Sequence, residues 1–174
     1  MAWTNPRTWV AGDPVTAAPL NEQVRDNLTA VRSAGLAVVG ILATPTIPTS
    51  EWTTVDWQFE VVDSLASWAL SPNPSRLTPS LPGKYLINGR VMWKPDATST
   101  GSRRARLLMN NTLMLSQDVR PGMNATQNNS VVGVQEFNGS TDYVELQAFH
   151  TMGSGLDLSN SDGVTALHLV WLGA

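Results

Sequence analysis

The stretch PGKYLINGRVMW, from Pro82 to Trp93, constrains the fold more than any other part of this chain. A Pro-Gly turn leads into a run in which Tyr85, Ile87, Gly89, Val91 and Trp93 fall on one face, and Leu86, Asn88, Arg90 and Met92 on the other. Successive side chains of a strand point to opposite sides, so alternation after a turn dipeptide predicts a half-buried strand. Gly89, small among large neighbours, is expected to mark a bulge or an aromatic ring lying across bare backbone.

From about residue 51 onward the chain reads as further strands packed against this one. Val55, Trp57, Phe59 and Val61 alternate with Thr54, Asp56, Gln58 and Glu60, predicting a strand over 53–62. Later strands are predicted over 103–110, 112–116, 131–137, 143–151 and 164–172, with turns at Asn110-Asn111 and over 138–142. The polar stretches 94–102, 117–129 and 153–163 read as loops. Residues 64–81 are broken by Pro72, Pro74 and Pro79, with Trp68 and Leu77 as anchors. Eight or so short strands joined by turns predict an all-β fold, an antiparallel jelly-roll sandwich. Composition agrees. Charged residues are 14% of the chain, against roughly 25% in an ordinary soluble domain.

The last strand breaks the alternation. Leu167, Leu169 and Trp171 are apolar, and so are Val170 and Leu172 on the opposite face. An antiparallel strand apolar on both sides needs cover beyond its own core, and these five residues are expected to supply a subunit interface.

The chain before Glu51 reads differently. Residues 1–35 are expected to form an anchor: an arm carrying Trp3 and Trp9, then a helix. Thr16 is its N-cap, Pro19 sits in its first turn and Gly35 closes it. Leu20, Val24, Leu28 and Val31 make one narrow apolar stripe, too thin to hold a lone helix of about 16 residues, so it should pack on the domain or on copies of itself. Residues 36–50, ending in the Pro/Thr run TPTIPTS, are expected to be a linker, leaving 51–174 as the sandwich.

The chemistry-bearing residues do not converge. His150 and His168 have no His or Cys at ligand spacing, and the chain has no cysteine. Residues 157–163 resemble a calcium loop only faintly, with the glycine displaced and His168 where a bidentate glutamate belongs. Arg103, Arg104 and Arg106 should split across a strand, the last two on a solvated or ion-paired face. No phosphate-cradling loop or nucleophile elbow occurs. The expectation is a protein without catalytic residues, cofactor or metal. A net charge of −3 argues against nucleic acid as a partner. No apolar run approaches the ~20 residues that cross a bilayer, and the N-terminus lacks the pattern of a secretion signal. Synthesis in the cytoplasm is expected.

Two resemblances add to this. The segment RLTPSLPGKYLINGRVMW from Arg76 to Trp93, the strand and Asn turn over 106–112, and DYVEL from Asp142 resemble the complement-globular-head and tumour-necrosis-factor-like fold over roughly residues 51–174. That family is characteristically trimeric, which implies a homotrimer. The segment WVAGDPVTAAPLNEQVRDNL, Trp9 to Leu28, is similar to the leader of virion proteins of tailed phages, especially those of actinobacteria, most often minor tail proteins. This second resemblance implies a virion structural protein assembled with tail proteins or the major capsid protein. Head decoration and tail placement stay open. The alternative is a receptor- or carbohydrate-binding module, with host cell-wall glycan as partner. The loops 95–102, 117–129 and 153–162 are where such a site is expected, and none contains an aromatic residue.

Overall fold

The computed structural model describes residues 4–32, 35–97, 100–161 and 164–173. A helical segment comes first: α1 (Ala17–Leu20), a π-helical turn (Asn21–Asp26) and α2 (Asn27–Arg32). The strands that follow are β1 (Leu36–Gly40), β2 (Thr46–Ile47), β3 (Thr53–Thr54), β4 (Phe59–Asp63), β5 (Pro82–Trp93) and β6 (Ser102–Met109). The chain then forms β7 (Leu113–Pro121), β8 (Gln127–Asn138), β9 (Val144–His150), β10 (Leu156–Asp157) and β11 (Ala166–Gly173). One sheet has the order β4-β1-β11-β5-β8 and the other β3-β9-β6-β7, while β2 and β10 pair in a short ribbon. Every paired strand runs antiparallel, and the two sheets enclose one core: a jelly-roll sandwich.

The alternation over Pro82 to Trp93 places the core. Tyr85, Ile87, Val91 and Trp93 point inward with no exposed surface. They meet Leu107 of β6, Leu146 and Ala148 of β9, and Leu167 and Leu169 of β11, all equally buried. Gly89 marks neither a bulge nor an aromatic contact. β5 pairs with β8 without a register shift, and a Cβ on Gly89 would stand 2.7 Å from Leu146 Cδ1 of the facing sheet. The glycine makes room for a leucine.

Most polar groups taken into the core are paired, as burial demands; among the described residues the buried Arg103 Nε and Gln127 Oε1 have no partner. The Tyr85 hydroxyl donates to the Leu81 carbonyl at 2.8 Å, and burial pushes its pKa up to about 12. Trp93 Nε1 donates to Asn129 Oδ1 at 2.8 Å, and Asn129 Nδ2 donates to Asp118 Oδ2 at 3.0 Å. The Arg103 guanidinium, on the inward face of β6, donates to the carbonyls of Ala125 and Met123 at 3.0 Å each.

Several sequence expectations are corrected. Residues 117–129 are not a loop through their length. β7 reaches Pro121 and β8 begins at Gln127; Asn129 of β8 accepts from the inward Trp93, and the backbone carbonyls of Met123 and Ala125 between the strands accept from Arg103. The strand expected over 53–62 is a crossing between sheets: β3 belongs to one and β4 to the other. Val55 and Trp57 are buried where the chain passes between them, whereas Val61 is exposed. Residues 36–50 are not a linker. β1 lies inside the five-stranded sheet between β4 and β11, and Ala37, Val39, Ile41 and Ile47 are core residues. A short apolar run without alternation fits a buried strand or a buried helix segment alike, and the Pro/Thr run that follows it reads as a spacer.

The expected turns are present. Asn110 and Asn111 take φ of 52° and 58° between β6 and β7, the left-handed conformation that a tight hairpin needs and asparagine tolerates. In the 138–142 turn, Asn138 Oδ1 accepts from the backbone N–H groups of Ser140, Thr141 and Asp142.

Candidate interaction surfaces

The expected anchor residues are largely exposed. Trp3 lies outside the described residues, and so does the side chain of Val31. Thr16 precedes the helix in extended backbone, without a side-chain cap. The arm folds back along the helix. Thr4 N donates to Asn27 Oδ1 at 3.0 Å and Asn27 Nδ2 returns a bond to the Thr4 carbonyl at 2.9 Å, while Arg7 N donates to Gln23 Oε1 at 2.7 Å. The Arg7 guanidinium pairs with Asp13 and lies 4.4 Å from the Trp9 ring centroid. These polar contacts fix the arm on one side of the helix. Trp9, Leu20, Val24 and Leu28 remain exposed, with Val10 and Val15 beside them in sequence. Six large apolar groups between Trp9 and Leu28, each more than a third exposed, mark an interaction surface.

A second surface is the outer face of the five-stranded sheet. The last strand alternates as its sequence positions require: Leu167, Leu169 and Trp171 point one way, His168, Val170 and Leu172 the other. The inward set is committed to the core of a single chain. Leu167 and Leu169 are therefore core residues rather than contact residues, and Trp171 packs against the core with Nε1 donating to the Pro82 carbonyl. Val170 and Leu172 face outward. Register places Leu36, Val170, Leu86 and Val134 in one row across four strands, and Val62, Val38, His168, Asn88 and Val132 in the next across five. Seven of these nine residues are aliphatic and each is partly or fully exposed.

His168 sits centrally in that band. Burial and the Arg90 guanidinium hold its imidazole below the ordinary 6.5. The folded protein resists a proton that the unfolded chain accepts, so stability is lost as pH falls below 6.5 toward the folded value. Thermal melts from pH 8 to pH 5 should show a fall in midpoint that His168→Gln reduces. An identical pH profile in the variant would remove His168 from the cause.

The outer face of the four-stranded sheet carries arginines and aromatic rings, with the exposed Val119 opposite Arg104 in register. Arg104 and Arg106 share it, with Arg103 inward, as alternation predicts. Among the described residues neither Arg104 nor Arg106 forms an ion pair. The Arg104 guanidinium lies 5.0 Å from the Phe149 ring centroid and that of Arg106 4.1 Å from Trp52, and Arg106 Nε donates to Gln147 Oε1 at 2.8 Å. Stacking substitutes for the missing carboxylates.

The loops gather no catalytic set among the described residues. His150 is fully buried, accepting from Met152 N at Nδ1 and donating from Nε2 to the Ile47 carbonyl. Asp157, first of the faint calcium loop, instead bonds Thr46 and Lys94, and the Thr46 hydroxyl leads in holding its carboxyl below the usual value. Asp162 and Gly163 of that loop lie outside the described residues. Among the described residues no group of three or more His, Cys, Asp or Glu could hold a metal ion, and no helix is long and apolar enough to cross a membrane.

Strand order, antiparallel pairing and the single core define a jelly roll of the tumour-necrosis-factor-like kind. The solved structures it resembles include murine APRIL at pH 5.0, with a TM-score of 0.59 and 18% identity over 80% of this chain and 99% of that one. Two further murine APRIL structures, at pH 8.0 and pH 8.5, give TM-scores of 0.58 and 0.55 with 18% and 20% identity over 80% of this chain and 99% and 98% of theirs. No family model and no curated protein matches the sequence.

Proposed function

We propose that this chain is a non-enzymatic structural protein of a tailed-phage particle, a homotrimer displayed on the surface and attached through its N-terminal segment. The observation that carries this reading is the apolar surface of the N-terminal segment, where the arm and helix leave Trp9, Leu20, Val24 and Leu28 exposed. Exposed apolar groups gathered on one short segment favour a contact with a partner. The resemblance of Trp9 to Leu28 to phage virion leaders names the kind of partner: tail proteins or the major capsid protein. The aliphatic band on the outer face of the five-stranded sheet supports the trimer implied by the resemblance in fold. Val170 and Leu172 are the members of the last strand available to it.

The test is assembly. Gold-labelled antibody raised against the sandwich should decorate intact particles at one class of site, head or tail. Particles carrying Leu20→Asp and Leu28→Asp should lose the label while the soluble protein stays folded. Label retained on the double variant would move the anchor elsewhere, and no label on any particle would end the virion reading.

A further inference from the structure

A cleft opens between the segment joining β4 to β5 and the turn joining β8 to β9, with a volume of about 440 Å³. That volume lies within the range of small-ligand sites. Trp68 and Tyr143 contribute aromatic rings to its lining, and Asn73, Thr78, Ser140 and Thr141 contribute amide and hydroxyl groups. Ala66, Ala69 and Pro72 complete the apolar part.

The walls are fixed before any ligand arrives. Asp63 gathers one side, its carboxylate accepting from Ser67 N at 2.7 Å, Trp68 N at 2.9 Å and the Ser67 hydroxyl at 2.9 Å. This holds Ala66 at φ 46°, a left-handed conformation uncommon for a residue with a Cβ. Trp68 Nε1 is tied to the Pro74 carbonyl at 2.8 Å, which sets the plane of the indole. The opposite wall is the Asn138 turn, pinned to the β6–β7 hairpin where Asn110 Nδ2 donates to Asp142 Oδ1 at 2.9 Å. At the base, the Arg76 guanidinium lies 4.0 Å from the Tyr143 ring centroid. Its Nε donates to Glu145 Oε1 at 3.2 Å, so Arg76 reaches the cleft with its charge offset by a buried carboxylate.

The lining decides the ligand class. Among the described residues no carboxylate, histidine or cysteine lines the cleft, so its hydroxyls have no base beside them in the lining and a cation has no carboxylate to sit on. Its one charge is already paired, so an anion gains little there. What remains is a half-buried tryptophan lining the same cleft as neutral donors and acceptors. A pyranose matches this: its C–H face stacks on an aromatic ring while its hydroxyls bond amides, hydroxyls and guanidinium N–H groups. We infer that this cleft is a binding site for a neutral saccharide, one or two pyranose units in size. The site lies outside the three loops where the sequence placed such a role, because a tryptophan in a proline-broken segment reads as a core anchor. The inference stands apart from assembly on a particle, since sugar binding by the free protein would survive failure of the virion reading.

The test uses the full chain and free glucose, galactose, mannose, rhamnose and N-acetylglucosamine, with their disaccharides, read by saturation-transfer NMR and tryptophan fluorescence. At least one should bind saturably, with Kd on the order of 1 mM or tighter for a site of this size. Trp68→Ala should weaken it about tenfold or more. Because Trp68 also packs against the core, two exposed positions provide variants that spare the fold: Asn73→Ala, which removes an amide, and Ala69→Arg, which fills the mouth. Loss of binding in both, with unchanged thermal midpoints, supports the assignment. Absence of binding by every sugar at about 10 mM, or binding undiminished in both variants, overturns it.

Discussion

Replacing Val170 by aspartate should turn the proposed trimer into a folded monomer. Val170 stands mid-row on the outer face of the five-stranded sheet, between Leu36 and Leu86 in register, with Val134 one strand further. If that face is the three-fold contact, the substitution places three carboxylates in an apolar seam with no cation in the same row. Desolvating each costs several kcal/mol, on the order of 3 or more per chain, and every 1.4 kcal/mol is about tenfold in affinity. The assembled state should therefore be weakened by several orders of magnitude. In the monomer Val170 is only half-buried, so the sheet itself should tolerate the change. Sedimentation velocity at micromolar concentration, with circular dichroism for the fold, reads both quantities. Leu172→Asp, 56% exposed near the end of the same strand, should have a smaller effect. Val119→Asp, on the opposite sheet, should leave the mass unchanged. A wild-type protein sedimenting as a monomer under these conditions would remove the trimer from the proposed function.

Two N-terminal truncations, one stopping just short of β1 and one running past it, should behave in opposite ways. Removing residues 1–34 takes away the arm and helix and should leave a sandwich that unfolds cooperatively near the full-length midpoint. Removing residues 1–48 also takes β1 out of the five-stranded sheet, where it pairs with both β4 and β11. Ala37, Val39, Ile41 and Ile47 go with it. Fully burying an aliphatic side chain of this size contributes about 1.5–3 kcal/mol. Losing three of them, plus an internal ladder of hydrogen bonds, is comparable to the roughly 5–15 kcal/mol by which a domain is stable. The shorter protein should be expressed as aggregate or as a chain without near-ultraviolet circular dichroism. Cooperative unfolding of the 49–174 protein would show that β1 is dispensable.

This second prediction turns on the element least legible in the sequence. Residues 36–43, LAVVGILA, carry no polar residue to mark an outward face, so the run has no alternation to read. What makes it a strand is the gap between β4 and β11, and that gap exists only once segments from opposite ends of the sandwich sequence have come together. The arginines follow the same division. Alternation alone separates Arg103 from Arg104 and Arg106. That Arg103 would be buried on carbonyls of Met123 and Ala125 was set by the return of β7 and β8 above it. Trp68 is the sharpest case for function. Its sequence neighbours mark an irregular segment and an anchoring ring, and nothing local announces that the distant 138–142 turn will close a cleft around it.

By itself the sequence determined whatever depends on neighbours along the chain. It set the strand from Pro82 to Trp93 and its inward face, the hairpin at Asn110-Asn111, the Asn138 turn, the all-antiparallel class and the apolar stripe of the N-terminal helix. Each rests on a side-chain period or a left-handed turn, which are properties of a few consecutive residues. Tertiary structure alone decided which face of β11 joined the core and which stayed outside, that β1 is part of the sheet, and where rings and polar groups meet. Those outcomes depend on which distant strands become neighbours. Pairing is chosen by the burial of the whole apolar set at once, and no local window of sequence contains that information.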